Sequence, residues 1–234
     1  QAHSLAAMPA AILVKFRCRI PLIYDAHELE TERNGWKLWT RVLAKVLEHS
    51  TLPFANEIIV VGPMIANWYS ETYKYVTPVV VRNLPDLPIA VSTSKRKTIR
   101  ELLSLDSDVQ LYVYTGVIGP NRGIETMLAA FASTNPSQQL AIVGHGPMVN
   151  TVMESAALFD TIHYIPTLPS NEVVDFISTA SVGIIVADST SLSYKYSLGN
   201  KIFQYRQAGL PVIVSNLPEM SKYVADTACG WIVE

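Results

Sequence analysis

The feature that most constrains the fold is a repeated alternation of short apolar runs with amphipathic stretches, separated by turns. The runs are rich in valine and isoleucine and apolar on both faces, which is typical of parallel strands covered by helices on both sides of a sheet. The alternation predicts βαβ units and an α/β fold built from open, doubly wound parallel sheets. The predicted strands are residues 21–26, 57–62, 79–83, 110–116, 139–144, 161–165, 181–187, 211–215 and 230–234. The predicted helices are residues 4–17, 36–51, 63–74, 95–104, 123–134, 147–157, 170–178, 198–208 and 217–225.

A change of composition near the middle of the chain predicts a domain boundary. Residues 83–97 contain two prolines, a Ser/Thr cluster and a basic run, which together are typical of a linker. We place the linker at residues 89–97, between a first part (residues 1–88) and a second part (residues 98–234). The second part reads as a Rossmann-like unit that lacks its final helices. The first part holds only enough strands for half of a doubly wound domain.

Composition and charge exclude several classes of protein. The chain has 234 residues, of which 49% are hydrophobic and 16% charged, so it can bury a sizeable core. The longest apolar run, residues 5–14, contains Pro9 and is shorter than the ~20 residues of a membrane span. A net charge of −2 without a basic stripe argues against nucleic acid as a partner. Two cysteines, Cys18 and Cys229, give no disulfide framework, which favours a cytoplasmic protein.

A glycine-rich turn follows the predicted strand 110–116. Gly116 and Gly119 allow the backbone to turn, and Arg122 and Gly123 open the next helix. A helix N-terminus beside an arginine can hold a phosphate, although a plain turn with a solvated arginine would have the same sequence pattern.

Two further turns lie at the same predicted edge of the sheet. Gly144 and Gly146 follow strand 139–144, where the backbone could approach a ligand closely. Residues 188–204 form a long polar stretch, predicted as a ligand loop, whose Gly199, Asn200 and Lys201 begin a helix. A lysine beside free backbone N–H groups suits an anionic phosphate.

A cluster of titratable residues closes the predicted strand 21–26. Asp25, His27, Glu28 and Glu30 lie within a few residues of one another. A histidine with a carboxylate can orient a hydroxyl group or move a proton. Metal binding and simple capping of the loop are the alternatives, and no H-E-x-x-H spacing supports a metal.

Taken together, these segments resemble glycosyltransferase family 4, whose members are retaining sugar transferases with the two-domain GT-B fold. The resemblance runs along nearly the whole chain and is most specific at residues 182–220. It also points to the sub-group whose loop reads NK-x-F-E/Q-Y, here residues 200–205. The segments that carry it are YDAHE (24–28), VVVRNLPD (79–86), TGVIGPNRGIETMLAAF (115–131), AIVGHGP (141–147), HYIPTLPSNEVVDFISTASVGIIV (163–186) and SLGNKIFQYRQAGLPVIVSNLPEM (197–220).

The resemblance implies a role for particular residues. The catalytic residues implied are His27 and Glu28. The residues implied to bind the phosphates and sugar of a nucleotide-sugar donor are Gly116, Arg122, Gly123, Gly199, Asn200 and Lys201. The residues implied at the nucleotide are Gly144, Gly146, Ile165, Leu168, Tyr196 and Gln204. No metal and no cofactor beyond the donor substrate are implied.

The resemblance also sets expectations for the whole protein. It implies transfer to a saccharide or lipid-linked acceptor in surface polysaccharide or glycoconjugate synthesis, in the cytoplasm or at the cytosolic face of a membrane. Residues 1–88 would be the C-terminal half of the acceptor-side domain, so the chain would be a fragment lacking both ends. Peripheral membrane association, an oligomer and a missing partner segment are left open.

The sequence departs from the family at three positions. The family often carries two glutamates with seven residues between them, and these align with Tyr196 and Gln204. A glutamine cannot accept two ribose hydroxyl bonds as a carboxylate can, so weaker donor binding, by ~1–3 kcal/mol, is expected. Val117 replaces a basic residue of the phosphate loop. A non-catalytic nucleotide-sugar-binding member is therefore one alternative, and a nucleotide-sugar epimerase using Glu28 and Glu30 is another.

Overall fold

The computed structural model describes residues 1–33, 35–84 and 97–234. The predicted linker, residues 89–97, lies outside these ranges except for Lys97, so that boundary stays a prediction. The strands are β1 (Ile23–Ala26), β2 (Glu57–Val60), β3 (Val79–Val80), β4 (Gln110–Val117), β5 (Gln138–His145), β6 (Ile162–Pro166), β7 (Val182–Ile185), β8 (Val212–Ser215) and β9 (Gly230–Val233). The helices are α1 (Met8–Cys18), α2 (Leu38–Thr51), α3 (Pro63–Thr72), α4 (Ile99–Leu103), α5 (Ile124–Ala132), α6 (Val149–Leu158), α7 (Ser170–Ile177), α8 (Leu192–Lys195), α9 (Asn200–Gln207) and α10 (Pro218–Thr227). Short 3-10 helices cover Leu5–Ala7, Glu30–Glu32 and Leu52–Phe54.

Each strand and helix expected from the alternation is present, with shifted ends. The polar stretch 188–204 is more ordered than predicted, because it contains the short helix α8. Ser191 caps this helix, since its Oγ accepts a hydrogen bond from the Tyr194 backbone N–H at 3.2 Å. A serine at the N-cap position strongly favours the start of a helix, so the prediction of a loop over this stretch misses α8.

The chain divides into two compact units, and the first is built on a parallel sheet in the order β1–β2–β3. This unit comprises Gln1–Asn83, Ser189–Leu198 and Leu217–Met220. Ala2 extends the sheet by pairing in parallel with Tyr24 of β1. The core of the unit contains the fully buried side chains of Met8, Tyr24, Leu29, Val60 and Tyr69.

The second unit is built on a parallel sheet in the order β6–β5–β4–β7–β8–β9. It comprises Leu84–Asp188, Gly199–Asn216 and Ser221–Glu234. Across the sheet, β4, β5 and β6 follow one another outward in one direction, and β7, β8 and β9 follow one another outward in the other. This is the doubly wound Rossmann order, whose topological switch point lies between β4 and β7. The fold is therefore the parallel α/β architecture that the sequence predicts.

Burial explains why the central strands form where they do. All residues of β7 are buried, as are those from Leu140 to Gly144 in β5, so valine and isoleucine face helices on both sides. Within the described ranges, no helix is long and apolar enough to cross a membrane.

Candidate functional site

The carboxyl ends of β4 and β5 bring two glycine-rich turns together in the second unit. Gly116 lies opposite Gly144 in the parallel register, and Val117 lies opposite His145. The Ile118 backbone N–H donates to the His145 carbonyl at 2.7 Å, so the pairing continues past the strand ends. A side chain at Gly144 would overlap the Gly116 carbonyl group, and Gly144 has a φ of +157°. Glycine at Gly144 is thus required for the two turns to approach each other.

Lys201 of α9 lies over the β4 turn. Its Cε is 2.7 Å from the position that a Cβ at Gly116 would occupy, and its Nζ is 3.7 Å from the centre of the Tyr114 ring. The absence of a side chain at Gly116 therefore makes room for the lysine. Gly199 caps α9, and Asn200 is exposed at its first position, so both precede the lysine at the positive end of the helix.

The electrostatics around Lys201 are unusual for a lysine. Burial, and secondarily the nearby Arg122 guanidinium, lower the pKa of Lys201 to about 7. No ion pair joins Lys201 to a carboxylate within the part of the chain that the structure describes. Two cationic groups close enough to repel each other are stabilised when an anion binds between or beside them.

The loop that carries Arg122 lies beside the end of β7. Gly123 caps α5 with a φ of +65°, and its backbone packs against Val186. The Asp188 backbone N–H donates to the Asn121 carbonyl at 3.2 Å. Since β4 and β7 flank the switch point, Gly116, Arg122, Gly123 and Lys201 all lie where doubly wound sheets bind ligands.

Tyr205 fixes α9 against this part of the sheet. It is fully buried, its hydroxyl accepts from the Thr115 backbone N–H at 2.9 Å, and that hydroxyl lies 3.4 Å from the Ile184 carbonyl oxygen. A side chain at Gly183 would overlap the Tyr205 ring. Tyr205 is one turn after Lys201 on the same helix face, so anchoring Tyr205 also positions Lys201.

The residues at and beside the expected nucleotide site differ in their exposure to solvent. Ile165 and Leu168 are buried at the end of β6, next to the β5 turn that holds Gly144 and Gly146. The adjacent His145 is exposed, and its Nδ1 lies 2.8 Å from the Thr167 hydroxyl.

Tyr196 and Gln204, which align with the family's two glutamates, lie in different units. Gln204 is half-buried on α9, three residues after Lys201. Tyr196 is half-buried against the apolar core of the first unit. Contact of either side chain with a nucleotide stays a prediction.

In the first unit, the cluster after β1 contains side chains with different partners. His27 is exposed and lies beside His3 and Asp25. Glu28 forms an ion pair with Arg33 at 2.7 Å and accepts from the Ser193 hydroxyl at 3.3 Å. Glu30 is buried and accepts from the Leu5 backbone N–H at 2.9 Å, which gives it a structural partner.

Sequence reasoning missed several residues of these sites. The predicted site leaves out Tyr114, Tyr205 and His3, because the residues that each contacts are distant in the sequence. Of the three, Tyr205 could have been predicted from the sequence, because its spacing of four residues from Lys201 places both on one helix face.

Comparison with known proteins supplies the family. Residues 95–234 match the family model described as "Glycosyl transferases group 1". HepE of Anabaena, solved in complex with UDP and glucose, has a TM-score of 0.73 and 15% identity, covering 98% of this chain and 62% of that one. Sucrose-phosphate synthase from Thermosynechococcus elongatus has a TM-score of 0.71 and 20% identity, covering 95% of this chain and 58% of that one.

A more distant likeness is to S. aureus TarM, solved with fondaparinux, alpha-GlcNAc-glycerol and UDP. It has a TM-score of 0.64 and 10% identity, covering 92% of this chain and 41% of that one. At these identities the likenesses show the fold, here that of GT-B glycosyltransferases, and this chain spans less than two thirds of each of the three. No protein among the curated sequences matches the chain. With more than half of its residues matched by the family model, the chain belongs to the glycosyl transferases group 1 family.

Proposed function

We propose that the protein is a retaining glycosyltransferase of family 4, in the sub-group with the NK-x-F-E/Q-Y loop. It would move a sugar from a nucleotide-diphosphate sugar to a saccharide or lipid-linked acceptor in the synthesis of surface polysaccharide or glycoconjugate. The observation that carries the proposal is the position of Lys201. This lysine is packed over Gly116 and close to Arg122, at the switch point of a Rossmann-type sheet.

The proposed role of this group of residues is to hold the donor diphosphate. Arg122, Lys201 and the N-terminus of α9 would stabilise the negative charge that develops on the leaving nucleotide diphosphate. The charges are positioned before the donor arrives, because Tyr205 fixes the helix and the Tyr114 ring supports the lysine. In a retaining reaction without a protein nucleophile, the leaving phosphate itself takes the proton of the acceptor hydroxyl on the same face of the sugar.

Solved structures of the same fold support a uridine nucleotide as the first donor to test. HepE was solved in complexes with UDP, with UDP and glucose, and with UDP-glucose, and TarM was solved with UDP. Gly144, Gly146, Ile165 and Leu168 would lie at the nucleotide in this proposal. Gly123, Gly199 and Asn200 would contribute backbone groups at the phosphates, and His27 and Glu28 would act at the sugar and the acceptor.

The decisive experiment combines a donor panel with variants of Lys201. Binding of UDP-, GDP- and ADP-sugars is measured by calorimetry, and donor hydrolysis and transfer are followed with the same panel. Loss of a charge-assisted hydrogen bond is worth ~1.5–3 kcal/mol, so Lys201→Ala is expected to weaken donor binding ~10- to 150-fold. Lys201→Arg should retain most of the affinity.

Lys222→Ala is the matched control. Lys222 is an exposed lysine of the second unit that pairs with Asp226 at 3.0 Å, so its loss should leave donor affinity unchanged. If neither binding, hydrolysis nor transfer is detected with any donor of the panel, the proposed function is wrong. If Lys201→Ala binds the donor as the parent does, the diphosphate lies elsewhere.

A second candidate, a nucleotide-sugar-binding member without transferase activity, is favoured by Gln204 and Val117. Gln204 lies on the same helix as Lys201, and Val117 is exposed at the end of β4 where a basic residue is common in the family. Gln204→Glu is expected to raise donor affinity if this position faces the ribose. Donor binding without any hydrolysis or transfer, in both the parent and Gln204→Glu, would favour a protein that binds nucleotide sugars without transferring them.

The place of action is also part of the proposal. Cys18 and Cys229 are free thiols, which supports a reducing, cytoplasmic compartment. Exposed apolar side chains on α2 support association with the cytosolic face of a membrane; they are Leu38, Trp39, Val42, Leu43 and Val46. Flotation with anionic phospholipid vesicles tests this, and a chain that stays in the lower fraction would contradict it.

A further inference from the structure

Three potential metal ligands converge at the end of β1 in the first unit. The backbone arranges this, because the Ala2 N–H donates to the Ile23 carbonyl and the Asp25 N–H donates to the Ala2 carbonyl, both at 2.8 Å. This pairing fixes His3 beside Asp25. His27 follows Asp25 by two residues, just past the end of β1, and its imidazole lies beside the Asp25 carboxylate.

The ligand atoms of the three side chains form a compact triangle. His3 Nδ1 lies 3.2 Å from Asp25 Oδ2 and 3.4 Å from His27 Nε2, and His27 Nε2 lies 3.8 Å from Asp25 Oδ2. A tetrahedral zinc ion with bonds of ~2.0–2.1 Å to nitrogen and oxygen separates its ligand atoms by about 3.4 Å. The triangle therefore has the dimensions of one face of a zinc coordination tetrahedron.

The charge and exposure of the group also suit a metal. Two imidazoles and one carboxylate are ligands that zinc accepts, whereas calcium and magnesium prefer oxygen alone. The Asp25 side chain is 12% exposed, while those of His3 and His27 are 63% and 49% exposed, so an ion could enter from solvent. Gln1 Nε2 donates to Asp25 Oδ2 at 2.7 Å, which orients the carboxylate in the manner of an outer-shell partner.

We propose that His3, Asp25 and His27 form a zinc site with a fourth position open to water. The rings of His3 and His27 are nearly parallel and 5.6 Å apart at their centres. Each ring would rotate about its side-chain bonds to direct one in-plane nitrogen lone pair at the ion. His27 is shared with the proposed function, which assigns it to the sugar and the acceptor, so a bound ion would compete with that role. The resemblance to family 4 implies no metal for sugar transfer. The inference does not rest on the proposed function, since metal binding is measured without any donor or acceptor.

The test is a metal titration of the full chain after treatment with a chelator. A short serine-glycine extension precedes Gln1, so that a free α-amino group two residues before His3 cannot add a ligand. Cobalt(II) serves as a coloured probe, because the intensity of its visible bands distinguishes four- or five-coordinate from six-coordinate sites. We expect one cobalt ion per chain with intense bands, displaced stoichiometrically by zinc.

Variants assign the site to its residues. His3→Gln, His27→Gln and Asp25→Asn should each weaken zinc binding by more than the ~10- to 100-fold that loss of an outer-shell partner costs. His49→Ala, which removes an exposed histidine of the same unit outside the triangle, should bind zinc as the parent does. His3 and His27 are exposed, so their replacement should leave the circular dichroism spectrum and the melting temperature of the chelated protein unchanged.

Two results would overturn the inference. The first is the absence of saturable binding at about a tenfold molar excess of zinc. The second is unchanged stoichiometry and affinity in both histidine variants, which would show that the ion binds elsewhere. In either case the triangle is a hydrogen-bonded cluster of two imidazoles and a carboxylate.

Discussion

Lys201 owes its unusual environment to its packing against a glycine and a ring. The lysine Nζ lies over the Tyr114 ring, and the missing side chain of Gly116 leaves space for its Cε. Removal from water penalises the charged form, and the Arg122 charge adds to the effect, so the pKa of Lys201 falls to about 7. A bound diphosphate has the opposite effect, because it favours the protonated amine.

Donor affinity should therefore depend on pH. Binding is coupled to protonation of Lys201, so affinity is full below the pKa of about 7 and falls as the pH rises through it. We expect roughly a tenfold loss between pH 6 and pH 8. A UDP-sugar is the appropriate ligand, because its diphosphate has no proton that titrates in this range. Lys201→Arg should abolish the dependence, and a parent affinity that is constant over the range would contradict the assignment.

Gly116→Ala should impair both stability and donor binding. Gly116 has a φ of +118°, and a Cβ there would lie 2.7 Å from Lys201 Cε. We expect a loss of ~1–3 kcal/mol in the free energy of unfolding, together with weaker donor binding.

Gly119→Ala, in the same loop, is the control for that substitution. Its nearest neighbour would be Pro147 Cγ at 3.6 Å, an ordinary contact, so its effect should stay within ~0.5 kcal/mol. Denaturant unfolding and calorimetry measure both quantities. Equal effects of the two substitutions would show that neither the backbone conformation of Gly116 nor its contact with Lys201 contributes to stability or to donor affinity.

At the level of elements, helices α2 and α3 are joined by a buried carboxyl group. Glu48 of α2 accepts hydrogen bonds from the Tyr69 and Tyr73 hydroxyls, each at 2.7 Å. Burial raises the pKa of Glu48 despite these two hydrogen bonds. The folded state therefore binds a proton that the unfolded state releases at a lower pH.

This carboxyl group predicts a pH dependence of stability in the first unit. Since the folded pKa is raised, the free energy of unfolding should decrease as the pH rises from the ordinary glutamate pKa through the raised value. Glu48→Gln should remove that decrease, so the variant gains stability relative to the parent as the pH increases. Unfolding followed by tryptophan fluorescence in a Trp231→Phe background reports on this unit.

Glu57→Gln is the matched control for the carboxyl group. Glu57 is exposed on β2, so its replacement should change the free energy of unfolding by no more than ~0.5 kcal/mol. If Glu48→Gln and the parent lose stability in parallel as the pH rises, Glu48 is not the titrating group.

At the level of the whole molecule, the two units have separate cores and separate sheets. The residues proposed to hold the donor diphosphate all belong to the second unit, as does Trp231 on β9. A ligand that binds only the folded state adds stability in proportion to the logarithm of its concentration.

The second unit should therefore be stabilised by donor. At a concentration 100 times its dissociation constant, a UDP-sugar should add about 2.7 kcal/mol to the free energy of unfolding reported by Trp231. The measurement uses a chain in which Trp36, Trp39 and Trp68 are replaced by phenylalanine. Lys201→Ala at the same donor concentration should show a much smaller gain. Equal gains in both chains would place the donor away from Lys201.

The sequence by itself determined the class of fold. Apolar runs such as those of β5 and β7 can only be buried on both faces, and their alternation with amphipathic stretches leaves a parallel, helix-covered sheet as the solution. The glycine-rich turns were predictable for a similar reason. A turn from a parallel strand into a helix at the ligand edge of such a sheet can adopt few backbone conformations, and several of these require glycine.

Only the tertiary structure decided which side chains from distant segments meet. Lys201 lies over Tyr114 because the chain returns to the β4 edge after β7, and His3 meets Asp25 because Ala2 pairs beside β1. The strand order and the lowered pKa of Lys201 likewise follow from packing and burial. Local patterns of hydrophobicity specify secondary structure because they act over a few residues. Contacts between residues nearly ninety positions apart depend on how the whole sheet assembles, which no local pattern encodes.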